Sequence, residues 1–316
     1  MITTVTLNTA IDKLYIIDSL LPYEVMRVNN VNNTAGGKGL NVSRVAALAG
    51  EQVISTGFAG GYNGQLFESL ITEPNITTAF THIQGETRCC INVRDTAANR
   101  STEFLEPGCS ISKLELEQFT KDYIKSIQDS SVVTISGSMP KGIPVDFYKT
   151  LITIAKDCGK YVILDTSGQT LKEAIKAKPT MIKPNTDEIR QLLDINIDSL
   201  EQLIDAAQHL HDSGIAIVVV SLGKKGALVV CEEGIYEGIT PDIPVVNTVG
   251  CGDSMVAGFA VGLSRGYTME ETIRFAVAIS TANALTMETG SFRQKDLDWL
   301  LTQVEVRKLT DRKKAI

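Results

Sequence analysis

Short apolar runs alternate with helical stretches over most of the second half of the chain. The runs are rich in β-branched residues. This alternation predicts parallel strands joined by crossover helices, because parallel neighbours need a long connection. From Asp253 to about residue 302 the apolar spacing predicts three helices. The predicted strands are 131–136, 161–165, 180–182, 215–222 and 227–231.

The first third of the chain is richer in extended segments. Leu40, Val42 and Val45 are the exception, since they recur at helical spacing and predict a helix from Gly39 to Gly50. The other segments predict strands: 3–7, pieces around 14–18 and 25–31, then 76–83, 88–94 and 101–105.

Together these patterns predict an α/β fold with a doubly wound, mostly parallel sheet and helices on both faces. A small β-sheet lid is expected from segments at about 12–33 and 88–104, within a single domain that spans 1–316. Open sheets of this type bind ligands at the carboxyl ends of their strands. The turn-rich clusters that follow the strands are therefore the candidate site.

Composition narrows the function further. The 316 residues carry a net charge of −7, which argues against a nucleic-acid or anionic-membrane surface. The amino terminus lacks a secretion signal, and no apolar run approaches a membrane span. The six cysteines form no C-x-x-C pair, and His209 and His211 point in different directions on a predicted helix. We expect a cytoplasmic protein without a structural metal.

The strongest chemical signal is the cluster 248–254, where Gly250, Cys251 and Gly252 precede Asp253 and an apolar helical stripe. Free N–H groups and the positive end of the helix dipole suit a phosphate there. Asp253 could take a proton from an attacking hydroxyl. The alternative is a glycine-rich turn whose aspartate only caps the helix.

A second glycine cluster, 35–41, includes Gly37, Lys38 and Asn41 at a helix entrance. It predicts an anion or polyol site, or simply a flexible turn. It is not a P-loop, because Gly39 follows the lysine where Ser or Thr is required. A dinucleotide fingerprint is also absent after the first strand.

Two further clusters have good structural explanations as well as functional ones. Asn185 and Glu188 have the spacing of a helix capping box, or could lie near metal-bound phosphates. The segment 221–227 reads as a surface hairpin or as a nucleotide contact. Asp12 could accept hydrogen bonds from sugar hydroxyls, and Arg88 and Arg27 could bind a phosphate. The alternative for each of these three, and the more frequent one for such a residue taken alone, is an ordinary solvated surface position.

Taken together, the clusters resemble the ribokinase/PfkB family of carbohydrate kinases over essentially the whole chain. Segments 37–43 and 247–253 match its two signatures in order, about 210 residues apart. The resemblance implies a ribokinase-like fold, ATP and Mg²⁺ as cofactors, and Asp253 as the base.

The resemblance also assigns the remaining site residues. The backbone of Gly250, Cys251 and Gly252 forms the anion hole for the γ-phosphate, and Glu188 holds Mg²⁺ through water. The implied sugar-phosphate contacts are Asp12, Arg27, Gly37, Lys38, Asn41, Arg88, Glu103 and Ser138. The implied ATP contacts are Lys183, Asn185, Ser221, Gly223, Gly226 and Asn283, with Asn283 near the adenine.

Within the family, the branch that phosphorylates phosphosugars is most similar, on segments 6–12, 85–88, 102–103, 136–142 and 165–168. It implies an ATP-dependent ketohexose-phosphate kinase, first for tagatose 6-phosphate and otherwise for fructose 1-phosphate or fructose 6-phosphate. A homodimer through the lid is also implied. The rivals are a non-catalytic sugar-phosphate sensor, which would lack the base, and a nicotinamide-dependent oxidoreductase, which would need the missing fingerprint.

Two residues depart from the family pattern. Thr9 replaces a proline, which should loosen a turn next to Asp12. Cys251 replaces alanine or serine and keeps the backbone N–H. At a helix start its thiol should be acidic and sensitive to oxidation.

Overall fold

The computed structural model describes residues 1–310. Within them, ten strands form one sheet in the order β14-β13-β12-β11-β10-β9-β8-β1-β4-β5 and four form a second sheet in the order β3-β2-β6-β7. The predicted domain limit at residue 316 lies outside the described residues. The strands are β1 Ile2–Thr6, β2 Ala10–Ile17, β3 Asn30–Gly36, β4 Val53–Gly60, β5 Ile76–Ile83, β6 Arg88–Asp95, β7 Arg100–Leu105, β8 Val132–Ser136, β9 Tyr161–Asp165, β10 Met181–Ile182, β11 Ile217–Ser221, β12 Gly226–Cys231, β13 Gly234–Ile239 and β14 Glu305–Thr310.

Helices cover both faces of the large sheet, which confirms the predicted doubly wound α/β fold. Successive side chains of a strand point to opposite faces of the sheet: Val219 packs in one core, and Val218 and Val220 pack in the other. The helices are α1 Lys38–Leu48, α2 Gly61–Ser69, α3 Lys113–Ser126, α4 Phe147–Asp157, α5 Gly168–Ala174, α6 Thr186–Leu193, α7 Leu200–Asp212, α8 Cys251–Arg265, α9 Met269–Ala284 and α10 Gln294–Gln303. One core contains α1, α8, α9 and α10, and the other contains α3 to α7.

The sheet is parallel from β5 through β11 and antiparallel from β11 to β14. The run 227–231 was predicted together with the parallel strands, but only the short turn Gly223–Lys225 separates it from β11. A turn of that length can join only antiparallel neighbours. Most candidate residues follow the carboxyl ends of the parallel strands, and the β11–β12 turn at the start of the antiparallel part carries Gly223 and Gly226.

The smaller sheet is the predicted lid. Its central strands β2 and β6 run parallel, and β3 and β7 pair with them antiparallel at the edges. The extended piece predicted at 25–31 is only partly a strand, since β3 begins at Asn30. None of the helices in residues 1–310 has the length and apolar content to cross a bilayer.

Candidate active site

Two helices begin side by side at the edge where the parallel strands end. Gly250, just before α8, has φ +82°, and an added Cβ would lie 2.8 Å from Thr289 Cγ2 and 3.0 Å from the Gly290 nitrogen. Only glycine fits this left-handed, crowded position. Cys251 N–H donates to the Thr248 carbonyl at 3.3 Å. In residues 1–310 the N–H groups of Gly252 and Asp253 have no protein acceptor, so the helix start presents free donors.

Asp253 joins the two helix starts. Its Oδ2 accepts a hydrogen bond from Asn41 Nδ2 of α1 at 2.8 Å, and the residue is only 6% exposed. No side chain caps α8, so the alternative in which Asp253 merely caps the helix does not hold. Burial and the nearby Asp165 raise the pKa of Asp253 to about 6, against the opposing effects of Lys38, Asn41 and Lys183. A buried carboxyl with this pKa suits proton transfer near neutral pH.

Asp165 connects the lysines of the site. Its Oδ2 lies 3.3 Å from Lys38 Nζ, and its Oδ1 lies 3.2 Å from Lys183 Nζ. Burial would raise the pKa of Asp165, but the two ammonium groups hold it below its usual value, and Asp165 in turn raises the pKa of Lys38. Sequence reasoning did not include Asp165 among the site residues. The available signal was its position as the last residue of a predicted strand.

The lid places Asp12 next to Gly36, two residues before α1 begins. The Asp12 carboxylate packs against Gly36, where an added Cβ would lie 2.2 Å from it. Burial raises the pKa of Asp12 to about 6, although Arg44 and Arg88 lower it, and Glu103 raises it further. Arg44 is a second residue that the sequence analysis missed.

Arg88 is the first residue of the lid strand β6. Its Nη1 donates to the Glu106 carbonyl at 2.8 Å and its Nη2 to the Asn8 carbonyl at 3.1 Å, while its buried Nε has no partner in residues 1–310. Asn8 Nδ2 also donates to Ser138 Oγ at 3.1 Å. Asn8 therefore brings the predicted residues Arg88 and Ser138 to one loop cluster.

The structure does not bring Arg27 to this cluster. Asp12 pairs with Thr34, whereas Ile16 pairs with Asn30, and Arg27 lies beyond that pair. Four residues of strand span about 13 Å, which is more than an arginine side chain can cross. Within one chain the β2–β3 ladder therefore carries Arg27 to the far end of the lid from Asp12, and its predicted contact with the sugar phosphate stays a prediction.

The predicted nucleotide side lies around the ends of β10 and β11. Asn185 and Glu188 form a reciprocal capping box, each nitrogen-to-oxygen distance being 2.9 Å, so the structural explanation of this pair holds. A bridge pairs Asn185 with Ser221. Gly226 is required by the β12–β13 pairing, since an added Cβ would lie 1.9 Å from the Gly238 carbonyl oxygen. Gly223 has φ +59° in the same turn.

Asn283 is enclosed by protein. It has no exposed surface, and its amide is fully used inside the protein. Nδ2 donates to the Val249 carbonyl at 2.9 Å, and Oδ1 accepts from Gly290 N at 2.9 Å and Ser254 Oγ at 3.2 Å. Asn283 thus fastens the loop before α8 to the loop after α9, and its predicted position near the adenine stays a prediction.

The two departures from the family pattern also have structural consequences. Burial raises the pKa of the Cys251 thiol, so the expectation of an acidic thiol at this helix start is wrong. Thr9 does not leave its turn loose, because its hydroxyl donates to the Phe58 carbonyl at 2.6 Å. That bond ties the start of the lid to β4.

The side chains available as metal ligands limit how an Mg²⁺ ion could be held. Within residues 1–310, no group of three or more His, Cys, Asp and Glu side chains could hold an ion. Glu188 uses Oε2 in the capping box, which leaves Oε1 for a metal-bound water. The residues therefore fit Mg²⁺ bound mainly by phosphate oxygens and waters, and not a protein cage.

Comparison with known proteins decides the family. The model of the pfkB family of carbohydrate kinases matches residues 4–296. The chain belongs to this family. This pfkB kinase is 41% identical to a tagatose-6-phosphate kinase of Staphylococcus epidermidis, over 97% of this chain and 99% of the relative. It superposes on the potassium complex of Escherichia coli phosphofructokinase-2 with a TM-score of 0.91 and 30% identity, over 96% and 98% of the two chains. Arabidopsis thaliana ribokinase, at 22% identity and a TM-score of 0.75 over 95% and 98%, shares the fold.

Membership makes this pfkB kinase an ATP-dependent sugar-phosphate phosphotransferase. The non-catalytic sensor and the nicotinamide-dependent oxidoreductase are therefore set aside.

Proposed function

We propose that this kinase transfers the γ-phosphoryl group of ATP to the free terminal hydroxyl of tagatose 6-phosphate and forms tagatose 1,6-bisphosphate. The observation that carries the proposal is Asp253, a buried carboxylate in the first turn of α8, beside two free backbone N–H groups and two lysines. The 41% identity to a tagatose-6-phosphate kinase supports the choice of sugar.

Asp253 takes the proton of the attacking hydroxyl as the phosphoryl group arrives. The N–H groups of Gly252 and Asp253 and the positive end of α8 offset the negative charge on the transferred group. Lys183 lies on the ATP side, since an added Cβ on Gly252 would be 3.4 Å from its Nζ. The reaction depends mainly on this alignment and charge balance.

On the acceptor side, Asp12 orients the sugar hydroxyls, while Lys38 and Arg88 bind the phosphate that the substrate already carries. Asn41, Gly37, Ser138 and Glu103 complete this side of the site. Closure of the lid over the sugar excludes water, which otherwise competes as acceptor.

On the donor side, Asn185, Ser221, Gly223 and Gly226 contact the nucleotide. Glu188 would hold Mg²⁺ through a water, and the bound ion would offset the charge of the ATP phosphates.

The proposal is tested by an ADP-release assay with tagatose 6-phosphate, fructose 1-phosphate and fructose 6-phosphate. We expect the highest kcat/KM for tagatose 6-phosphate, and little turnover of ribose, adenosine or free fructose. A higher kcat/KM for either fructose phosphate would reassign the substrate.

The acidic side of the pH profile gives a second test. Because the pKa of Asp253 and the pKa of Asp12 are both about 6, kcat/KM should fall as the pH drops through that value.

We also propose that two copies associate through their lids in the cytoplasm. The edge strand β7 is exposed along its length, with Phe104 57% and Leu105 66% exposed, and at the lid tip Val25 is 95% exposed. A second copy that covers these residues could bring its own Arg27 toward the neighbouring site. Light scattering of the wild type should give twice the mass of one chain. The double variant Phe104→Glu, Leu105→Glu should give the mass of a single chain. A wild-type monomer at micromolar concentration contradicts the dimer.

A further inference from the structure

One carboxylate joins the two sides of the candidate site. Asp165 Oδ2 lies 3.3 Å from Lys38 Nζ and Asp165 Oδ1 lies 3.2 Å from Lys183 Nζ, so each ammonium group has an oxygen of its own. Asp165 is 4% exposed and Lys183 is 7% exposed. Lys38 opens α1 under the lid, whereas Lys183 lies against Gly252. The bridge therefore connects the acceptor side to the donor side.

The local charges balance, but they are distributed unequally. Asp165 and Asp253 supply two negative charges, and Lys38 and Lys183 supply two positive ones. Asp165 pairs with both lysines, whereas in residues 1–310 Asp253 forms no ion pair and accepts only the Asn41 hydrogen bond. A carboxylate bound to an ammonium group is a weaker base than an unpaired one. The arrangement thus leaves Asp253 as the more basic of the two.

We propose that Asp165 is a positioning residue for phosphoryl transfer: it directs Lys38 to the sugar phosphate and Lys183 to the ATP phosphates, and it keeps both ammonium groups off Asp253. Each lysine has three N–H donors and spends one on Asp165, which leaves two for the incoming phosphates. The inference rests on the proposed function, because it needs Asp253 as the base.

The test compares pH profiles of kcat/KM for the wild type and Asp165→Asn, with ATP and tagatose 6-phosphate. We expect kcat/KM to fall by at least about 10-fold and the acidic limb of Asp253 to move down by about half a pH unit or more. The direction follows because the variant removes a like charge next to Asp253 and frees both lysines to pair with it. The charged and polar groups that face Asp253 are Asp165, Lys38, Asn41 and Lys183.

Controls separate this role from a structural one. Asp165→Glu retains the negative charge next to Asp253. The acidic limb of its kcat/KM profile should therefore stay at the wild-type pH even if turnover falls. The titration of Asp12 depends on Arg44, Arg88 and Glu103, and it should not move in either variant. An acidic limb in Asp165→Asn that coincides with that of the wild type would overturn the proposal.

Asp165→Asn leaves Lys38 and Lys183 with Asp253 as their shared counter-charge, so thermal denaturation checks its folding. If it does not fold, Lys38→Met replaces it. The Lys38 side chain is 51% exposed, and without it Asp165 keeps its ion pair with Lys183. That variant should move the limb upward and raise KM for tagatose 6-phosphate more than KM for ATP. A fixed or lowered limb contradicts the inference. An inactive wild type contradicts the proposed function itself, whereas an active wild type with a fixed limb contradicts only this inference.

Discussion

Asp253→Asn is expected to lower kcat by at least about 100-fold, which is the usual contribution of a general base. ATP affinity should change little, because the amide keeps the shape of the carboxylate and the backbone donors of α8 stay in place. Asparagine can still accept the hydrogen bond of Asn41 through its carbonyl oxygen, so the two helix starts should remain joined. Steady-state ADP release gives kcat, and equilibrium titration gives the dissociation constant of ATP.

The matched control is Asp205→Asn, which changes an exposed aspartate on α7 and should leave both constants unaltered. Asp253→Asn also lacks one of the two carboxyl groups whose pKa is about 6. The fall of its residual kcat/KM at acidic pH should therefore be shallower than that of the wild type. Turnover within a few-fold of wild type would remove Asp253 from the role of base.

Arg88→Ala is expected to raise KM for tagatose 6-phosphate by roughly 10- to 100-fold, since a hydrogen bond to a charged group contributes about 1.5–3 kcal/mol. KM for ATP should change by less than about two-fold, because a local change in the lid does not reach the donor side. The guanidinium also fixes the carbonyls of Asn8 and Glu106. Thermal denaturation should therefore accompany the kinetics.

A matched control comes from the same strand. Arg94 also lies on β6 and donates to Asn99, six residues or about 20 Å from Arg88, and Arg94→Ala should leave both KM values unaltered. Free tagatose offers a second control, because it lacks the phosphate that Arg88 binds. Arg88→Ala should therefore leave KM for free tagatose unchanged. Equal losses for ATP and sugar phosphate would contradict the placement of Arg88.

The two glycine-rich clusters and the strand–helix alternation could be predicted because they depend on local chemistry. A glycine at a left-handed position, a capping pair such as Asn185 and Glu188, and apolar periodicity are all visible within a few residues. The strands β13 and β14 were not predicted. Their place in the sheet depends on pairing between residues about 70 positions apart, which no local pattern encodes.

Three outcomes at the site depended on distances that only the folded chain fixes. Arg27 was expected to bind the sugar phosphate, but within one chain the register of β2 with β3 carries it to the far end of the lid from Asp12. Asn283 was expected at the adenine, but the packing of α9 on α8 buries it under the loop before α8. Burial, which a sequence does not state, raises the pKa of the Cys251 thiol.

The sequence by itself determined the fold class, the family and the position of a carboxylate at a glycine-lined helix start, because each depends on residue types in a short or periodic pattern. Only the tertiary structure decided which charges meet. Asp165, Lys38 and Lys183 come from three separate segments, and their pairing depends on the parallel strands ending at one edge of the sheet. Electrostatic interaction falls with distance in space and not along the chain, so the basicity of Asp253 is a property of the fold.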